Sequence, residues 1–266
     1  MDKKDIAKAQ NYLLQSSYSV VLSGAGISAD SGIPTFRSES NVKGNSTKPV
    51  YFGHYKYFIK NPKKWWEDQL DFTSNPERTK FRYAVENAKP NKGHDAVTKL
   101  QKNNIIKNII TQNVDELHTK SGSENVLEIH GSRYKCRCIE CGLRFSRESI
   151  NLKILPPLCK CGGVIKYDTV LFGEPIPKNI LENCVNIINK ADLILVVGTS
   201  TLVNPSASFP VHIKKNGGII IEANTMPTPI TKIADVVLRG ATSVTLPELS
   251  DTVSYTHLTL PTSDLV

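Results

Sequence analysis

Six short runs of β-branched and other apolar residues constrain this chain more than any other feature: "SVVLS" (19–23), "IKNIIT" (106–111), "VLEIH" (126–130), "DLILVVG" (192–198), "GIIIEAN" (218–224) and "DVVLRG" (235–240). Most are continuous in polarity rather than alternating, as strands covered on both faces must be. Helical patterns lie between several of them. "KKDIAKAQNYLLQS" carries apolar residues at 6, 7, 9, 13 and 14, and "NILENCVNIINKA" repeats the spacing just before the run at 192. Such an alternation predicts an α/β fold with a doubly wound parallel sheet. Two stretches do not fit it. Residues 36–90 hold few β signals but many aromatics and lysines, which reads as a loop followed by a small helical lobe, and residues 134–166 hold nearly all the cysteines. Both read as insertions, leaving 1–35, 91–133 and 167–252 for the sheet domain. Residues 253–266, "VSYTHLTLPTSDLV", have little helical pattern and read as a tail foreign to the rest of the chain.

With 266 residues and 39% hydrophobic content, the chain can bury a sizeable core. Its longest apolar runs are strand-sized, and the start "MDKKDIAKAQ" lacks an apolar signal core. No membrane association is expected, and a cytoplasmic location is. The net charge of +8 permits acidic partners; the simpler reading is a lysine-rich surface kept soluble by charge, without direct nucleic-acid contact. The cysteines read "CRCIECG" and "LCKCGG". Cys138 and Cys141 form a CxxC knuckle and Cys159 and Cys161 a CxC, close to the spacing of a closed tetrahedral zinc site. Cys136 is the competing ligand for Cys138. Four thiolates leave no open position, so Zn2+ would be structural. Cys184 reads as a small buried hydrophobe.

The stretch "VVLSGAGISADSGIPTFR" places Gly24, Gly26 and Ala29 directly after a strand, a pattern that lets backbone approach a pyrophosphate. A standard dinucleotide fingerprint would continue through a full helix to an acidic strand end; here Pro34 cuts the helix short. The glycines therefore mark either a tight turn or a nucleotide held in a nonstandard way. In "TQNVDELH", Gln112, Asn113 and Asp115 follow a strand at the carboxyl end of the sheet, where ligands bind; a helix cap is the alternative. "EIHGS" offers His130 as a general base. "VVGTS" and "IEAN" end two further strands in Gly198, Thr199, Ser200 and Asn224.

Taken together and in this order, "GAGISADSGIPTFR", "TQNVDELH", "EIHGS", the cysteine module, "VLFGE", "VGTS", "IEAN" and "ADVVLRG" resemble the sirtuin family of NAD-dependent protein deacylases. The resemblance runs from about Ser19 to Leu249. It implies a Rossmann-like NAD-binding sheet domain with a small lobe made of the helical segment and a zinc ribbon. It also implies that Gly24, Ala25, Gly26, Ile27, Ser28, Pro34, Thr35, Phe36 and Arg37 line the phosphate and nicotinamide-ribose pocket. Gln112, Asn113 and Asp115 would orient the nicotinamide end, with Asn113 and Asp115 catalytic alongside His130. Gly198, Thr199, Ser200, Asn224 and Ala241 would hold the adenosine half. Val170, Phe172, Gly173 and Glu174 would pair with an extended peptide carrying the acylated lysine. In the implied reaction the acyl oxygen attacks C1′ of the ribose and nicotinamide leaves. His130 then takes a proton from a ribose hydroxyl, and water releases lysine and O-acyl-ADP-ribose.

The family's usual CxxC followed by glycine favours Cys138 over Cys136. Glu116 stands where the family commonly has glycine, and Tyr167 where it often has proline. "WWEDQLDF" lacks the tyrosine and arginine with which desuccinylating sirtuins grip an acidic acyl group, so acetyl or longer neutral groups are expected. The chain is expected to act as a monomer. Protein mono-ADP-ribosyl transfer or NAD hydrolysis is the alternative enzymatic reading, and a zinc-ribbon module binding nucleic acid the non-enzymatic one.

Overall fold

The computed structural model describes residues 2–35 and 54–257, with side chains as far as Asp251. Six parallel strands form the main sheet: β1 (Ser19–Ser23), β2 (Ile106–Thr111), β3 (Val126–Glu128), β7 (Leu193–Val197), β8 (Ile219–Asn224) and β9 (Val236–Arg239). Their spatial order is β3-β2-β1-β7-β8-β9, which puts the reversal of winding at β1. Three antiparallel strands, β4 (Lys135–Cys138), β5 (Arg144–Ser146) and β6 (Ile165–Tyr167), make a second sheet in the order β5-β4-β6. All six expected runs are strands, each within two residues of its expected ends.

Continuous apolarity has the expected cause. Every residue of β1 and β7 is buried, and successive side chains point to opposite faces. Val21, Leu195 and Val197 join a core with Leu13 of α1 (Lys3–Gln15), Leu100 of α5 (Lys92–Lys102) and Leu246 and Leu249 of α9 (Thr242–His257). On the other face, Val20, Leu22, Ile194 and Val196 pack with Cys184 and Ile188 of α7 (Lys178–Lys190) and Phe209 and Ile213 of α8 (Ser208–Lys215). Cys184, fully buried there, is the small hydrophobe expected.

The two insertions build one lobe. Helices α2 (Tyr55–Lys60), α3 (Pro62–Leu70) and α4 (Pro76–Asn87) come from the first. Asn61 and Asn75 cap α3 and α4 with their side chains, and a proline follows each at the first helical position. Phe58, Trp65 and Trp66 then share a core with Cys136, Cys138, Cys159, Ile165 and Tyr167 of the cysteine module. Trp66 is fully buried, and its Nε1 donates to Ile165 O at 2.8 Å. Helix α6 (Leu117–Lys120) is a single turn. No helix among the described residues is long and apolar enough to cross a membrane.

The structure departs from expectation at two ends. The segment after β1 is a 3-10 helix over Ala25–Ser31, and it stops at Gly32, whose φ of 84° is left-handed, before Pro34 is reached. Helix α9 continues to His257, into the stretch that showed no helical pattern, while 258–266 lie outside the described residues.

Trp66→Ala should therefore cost about 3–5 kcal/mol of unfolding free energy in urea titrations, since it empties the joint core and orphans the Ile165 carbonyl. Trp66→Phe should cost less.

Candidate active site

Parallel strands all end on the same side. The pairing of Ser23 with both Thr111 and Val197, and of Val197 with Ala223, puts the residues after β1, β2, β7 and β8 at one level. At this carboxyl edge the β1 and β7 ends meet. Gly26 N–H donates to Gly198 O at 2.7 Å, and a Cβ on Gly26 would lie 2.7 Å from the Gly198 Cα and carbonyl oxygen. Gly198 sits at φ 56°, where its own Cβ would be 2.5 Å from Ile27 N. The glycine stretch thus welds two strand ends together. Thr242 Oγ1 donates to Gly26 O at 3.4 Å, and the neighbouring Ala241 carbonyl accepts the Val244 and Thr245 amides at the start of α9. Gln112 Nε2 donates to Thr199 Oγ1 at 2.8 Å, and Asn224 Nδ2 to Thr199 O at 2.9 Å. Four strand ends are tied into one rim; Ser200 is the half-buried next residue.

Asn113 is buried, with Nδ2 donating to Gly24 O at 3.2 Å and to Ser28 Oγ at 3.0 Å. Ser28 in turn donates to Asp115 Oδ2 at 2.7 Å, while Asp115 Oδ1 accepts the Leu117 amide at 2.9 Å. The Asp115 carboxylate is therefore 4% exposed and engaged at both oxygens, and burial raises its pKa. The Ile27 side chain is wholly buried in the sheet core, while its backbone N lies against Gly198. Pro34 and Thr35 follow the 3-10 turn; Phe36 and Arg37 lie outside the described residues.

His130 follows β3. Its Nδ1–H donates to the Gln112 carbonyl at 3.2 Å, which leaves Nε2 with the lone pair. Burial lowers its pKa, opposed by that hydrogen bond. Gly131, at φ 72°, lets the chain turn against the Asp168 carbonyl, into which any Cβ would run. Val170 N–H donates to His130 O at 2.8 Å, and Tyr55 N–H to Phe172 O at 2.9 Å, so this segment already pairs with the sheet domain and with the lobe. Phe172 is 39% exposed, and Gly173 turns the chain at φ 77°. The Glu174 side chain points inward from this segment. Its carboxylate is buried, accepting from Arg137 Nη2 at 2.7 Å, Leu171 N at 2.8 Å and Lys166 Nζ at 3.0 Å. Arg137 also holds Asp168 at 2.9 Å. Burial, partly offset by Glu174, brings the Lys166 ammonium down to about 8.

Two further histidines are buried beside these residues. His118 Nε2 lies 2.9 Å from Ser23 Oγ, and His94 Nε2 lies 3.4 Å from Ser28 Oγ, with their rings 5.1 Å apart. His94 Nδ1 accepts the Asn91 amide at 3.3 Å in a capping box, so Nε2 carries the proton. Burial lowers His94 to about 4 and His118 to about 3. Their signals were present in the sequence, an Asn three residues before His94 and the last residue of "TQNVDELH". Glu116 holds the left-handed conformation, φ 58°, that explains glycine as the easier choice there. Ser132 Oγ donates to its carboxylate at 2.6 Å and Lys135 Nζ lies at 3.2 Å, which ties the Asp115 turn to the segment after His130.

In the cysteine module, one ligand atom from each of Cys138, Cys141, Cys159 and Cys161 lies within 4.8 Å of the others. That donor set suits a tetrahedral thiolate-bound zinc. Cys136 is outside it, fully buried in the lobe core, where burial pushes its thiol up to about 12.

Residues 24–205 match the model of the Sir2 family. The chain is 40% identical, over 89% of its length and 93% of the relative's, to NAD-dependent protein deacylase 1 of Archaeoglobus fulgidus. It superposes with a TM-score of 0.78 on a Sir2 homologue in complex with NAD, at 39% identity and 94% coverage of both chains. A complex of Sir2 with a p53 peptide and NAD+ superposes at 0.73, with 29% identity and coverage of 97% and 99%.

Two outcomes follow. Cys138→Ala should abolish stoichiometric zinc by elemental analysis while Cys136→Ala retains it. Both histidines are protonated in the unfolded chain below about pH 6.5 but stay neutral when folded to about pH 4 and about pH 3. Stability should accordingly fall as pH drops from about 6.5 toward 4, by up to about 1.4 kcal/mol per unit for each histidine, and His118→Gln should flatten the slope.

Proposed function

The chain belongs to the Sir2 family, and from that premise we infer that it removes acyl groups, acetyl among them, from lysine side chains of proteins while consuming NAD. The observation carrying this reading is the convergence of Asn113, Gln112 and His130 on the rim where Gly26 and Gly198 touch. NAD, when bound there, supplies the ribose carbon that takes the acyl oxygen, so that nicotinamide and O-acyl-ADP-ribose are the by-products.

The protein's own part is positioning and proton transfer. Gln112 and Asn113 would hold the nicotinamide end, and Thr199, Ser200 and Asn224 the adenosine half. The Gln112 carbonyl fixes the His130 ring with Nε2 free, and burial keeps it neutral, the form needed to accept a proton from a ribose hydroxyl. Asp115, whose oxygens are used internally, would contribute by orienting Ser28 and Asn113 and by its charge in a buried site. Val170, Phe172 and Gly173 would take the peptide as an added strand, with Glu174 holding that segment from beneath. The zinc, bound by four thiolates, would stabilise the lobe without touching substrate. The reading places the protein in the cytoplasm as a monomer.

Mass spectrometry of an acetyl-lysine peptide should show deacetylation and O-acetyl-ADP-ribose only when NAD is added, and His130→Ala should lose at least about a hundredfold in rate. NAD consumption with the acetyl group retained would instead indicate ADP-ribosyl transfer or hydrolysis. Because His130's pKa is lowered, kcat/KM should be flat above about pH 7 and decline only below the ordinary imidazole value of about 6.5.

A further inference from the structure

Glu116 keeps a left-handed backbone, φ 58°, that glycine would hold without strain, and other residues persist in it only where their surroundings over-determine it. Its side chain supplies the reason. Glu116 Oε1 accepts from Ser132 Oγ at 2.6 Å and from Lys135 Nζ at 3.2 Å, and the same ammonium meets Glu128 Oε2 at 2.7 Å. Ser132 is wholly buried, and its Oγ also accepts the Tyr134 amide at 2.9 Å. These partners bracket the base in sequence: Glu128 lies two residues before His130 and Ser132 two after, while Glu116 follows Asp115 directly. The Glu116 and Glu128 side chains are 18% and 13% exposed, so the bonds among them are sheltered from the screening that weakens a surface pair. The cluster borders a cleft of about 760 Å3 with Val126, Leu127, Arg144 and Ile180, and none of Gln112, Asn113, Asp115 or His130 lines that cleft. What Glu116 does for the reaction passes through the segments it ties.

Those two segments are anchored unequally. Asn113 donates to Gly24 O and Ser28 Oγ, and Asp115 accepts from Ser28 and the Leu117 amide, so their turn stays on the first glycine loop whatever happens at Glu116. The His130 ring rests on the Gln112 carbonyl, and a main-chain bond from Arg133 N–H to Val114 O at 3.0 Å runs beside the Glu116 tie. We propose that Glu116 is a positioning residue: through Ser132 and Lys135 it sets His130 against the turn of Asn113 and Asp115, so that both act on one ribose in register. This role rests on the deacylase reading. There, Asn113 and Asp115 serve the first step, in which the acyl oxygen bonds to C1′ and nicotinamide leaves. His130 serves the next, taking a proton from a ribose hydroxyl. Because the Asn113 turn has anchors of its own, loosening the Glu116 tie slows the second step more than the first.

Two assays on the full chain separate those steps. Nicotinamide can return to C1′ and displace the acyl oxygen, re-forming NAD, so exchange of labelled nicotinamide into NAD with an acetyl-lysine peptide present reports the first step, whereas O-acetyl-ADP-ribose formation requires both. In Glu116→Gly, which also relieves the backbone, O-acetyl-ADP-ribose formation should fall about fivefold or more while nicotinamide exchange stays within about twofold. Glu116→Gln, whose amide oxygen still accepts from Ser132 and Lys135, should restore both rates. In the protein without substrates, amide hydrogen exchange across residues 128–135 should speed up in Glu116→Gly and not in Glu116→Gln, with residues 24–31 unchanged. If Glu116→Gly does not fold, Ser132→Ala, which cuts the same tie, takes its place. Equal loss of both reactions, loss of neither, no rescue by Glu116→Gln, or unchanged amide exchange across 128–135 overturns the positioning role. A wild type that neither exchanges nicotinamide nor deacetylates overturns the deacylase reading, and the role with it.

Discussion

The contact between Gly26 and Gly198 is the constraint on which the rest of the site depends. At 2.7 Å from amide to carbonyl, the loops leaving β1 and β7 are in main-chain contact, and neither position has room for a methyl group. Because β1 is where the winding reverses, this is also where helices diverge to opposite faces and leave a crevice. Close approach there brings Thr199 within reach of both Gln112 and Asn224. Ile27 and Val197, which flank the contact, are core residues, so the rim and the core are set by the same seam.

A second pattern is the number of charges kept out of water and the way each is held. Glu222, fully buried in β8, accepts from Thr231 Oγ1 at 2.6 Å and from Thr228 Oγ1, with Arg239 at 3.5 Å. Asp168 and Glu174 are shared between Arg137, Arg144 and Lys166. Each acid has more than one donor, as low dielectric requires. These ties join the second sheet to the segment that runs past His130, while Phe81 and Val85 of α4 pack on Ile33 and Leu117 in a separate apolar cluster.

The sheet could be read from sequence because a strand buried on both faces has no choice of side-chain polarity. The rim could be read because polar residues repeatedly ended those strands. The 3-10 form of the first turn could not, since it follows from the contact with Gly198, 172 residues away in sequence. Nor could the inward turn of Glu174, whose partners Arg137 and Lys166 belong to strands formed only when the cysteine module folds. Asp115 was legible as a site residue, but not that both its oxygens are occupied by Ser28 and Leu117. His94 and His118 were passed over because a histidine's meaning lies in its neighbours, here Ser28 and Ser23.

The aromatic core that Trp65, Trp66 and Phe58 share with Cys138 and Cys159 has a consequence beyond packing. A metal held by the folded thiolates but not by the unfolded ones adds stability that grows with the logarithm of its free concentration. That gain falls on the lobe, whereas the parallel sheet has its own two cores. One body of the molecule is therefore governed by mass action and the other is not. A metal-starved cell would hold the same polypeptide with its parallel sheet intact and its lobe loosened, so that ion supply would be felt first in the aromatic core around Trp66.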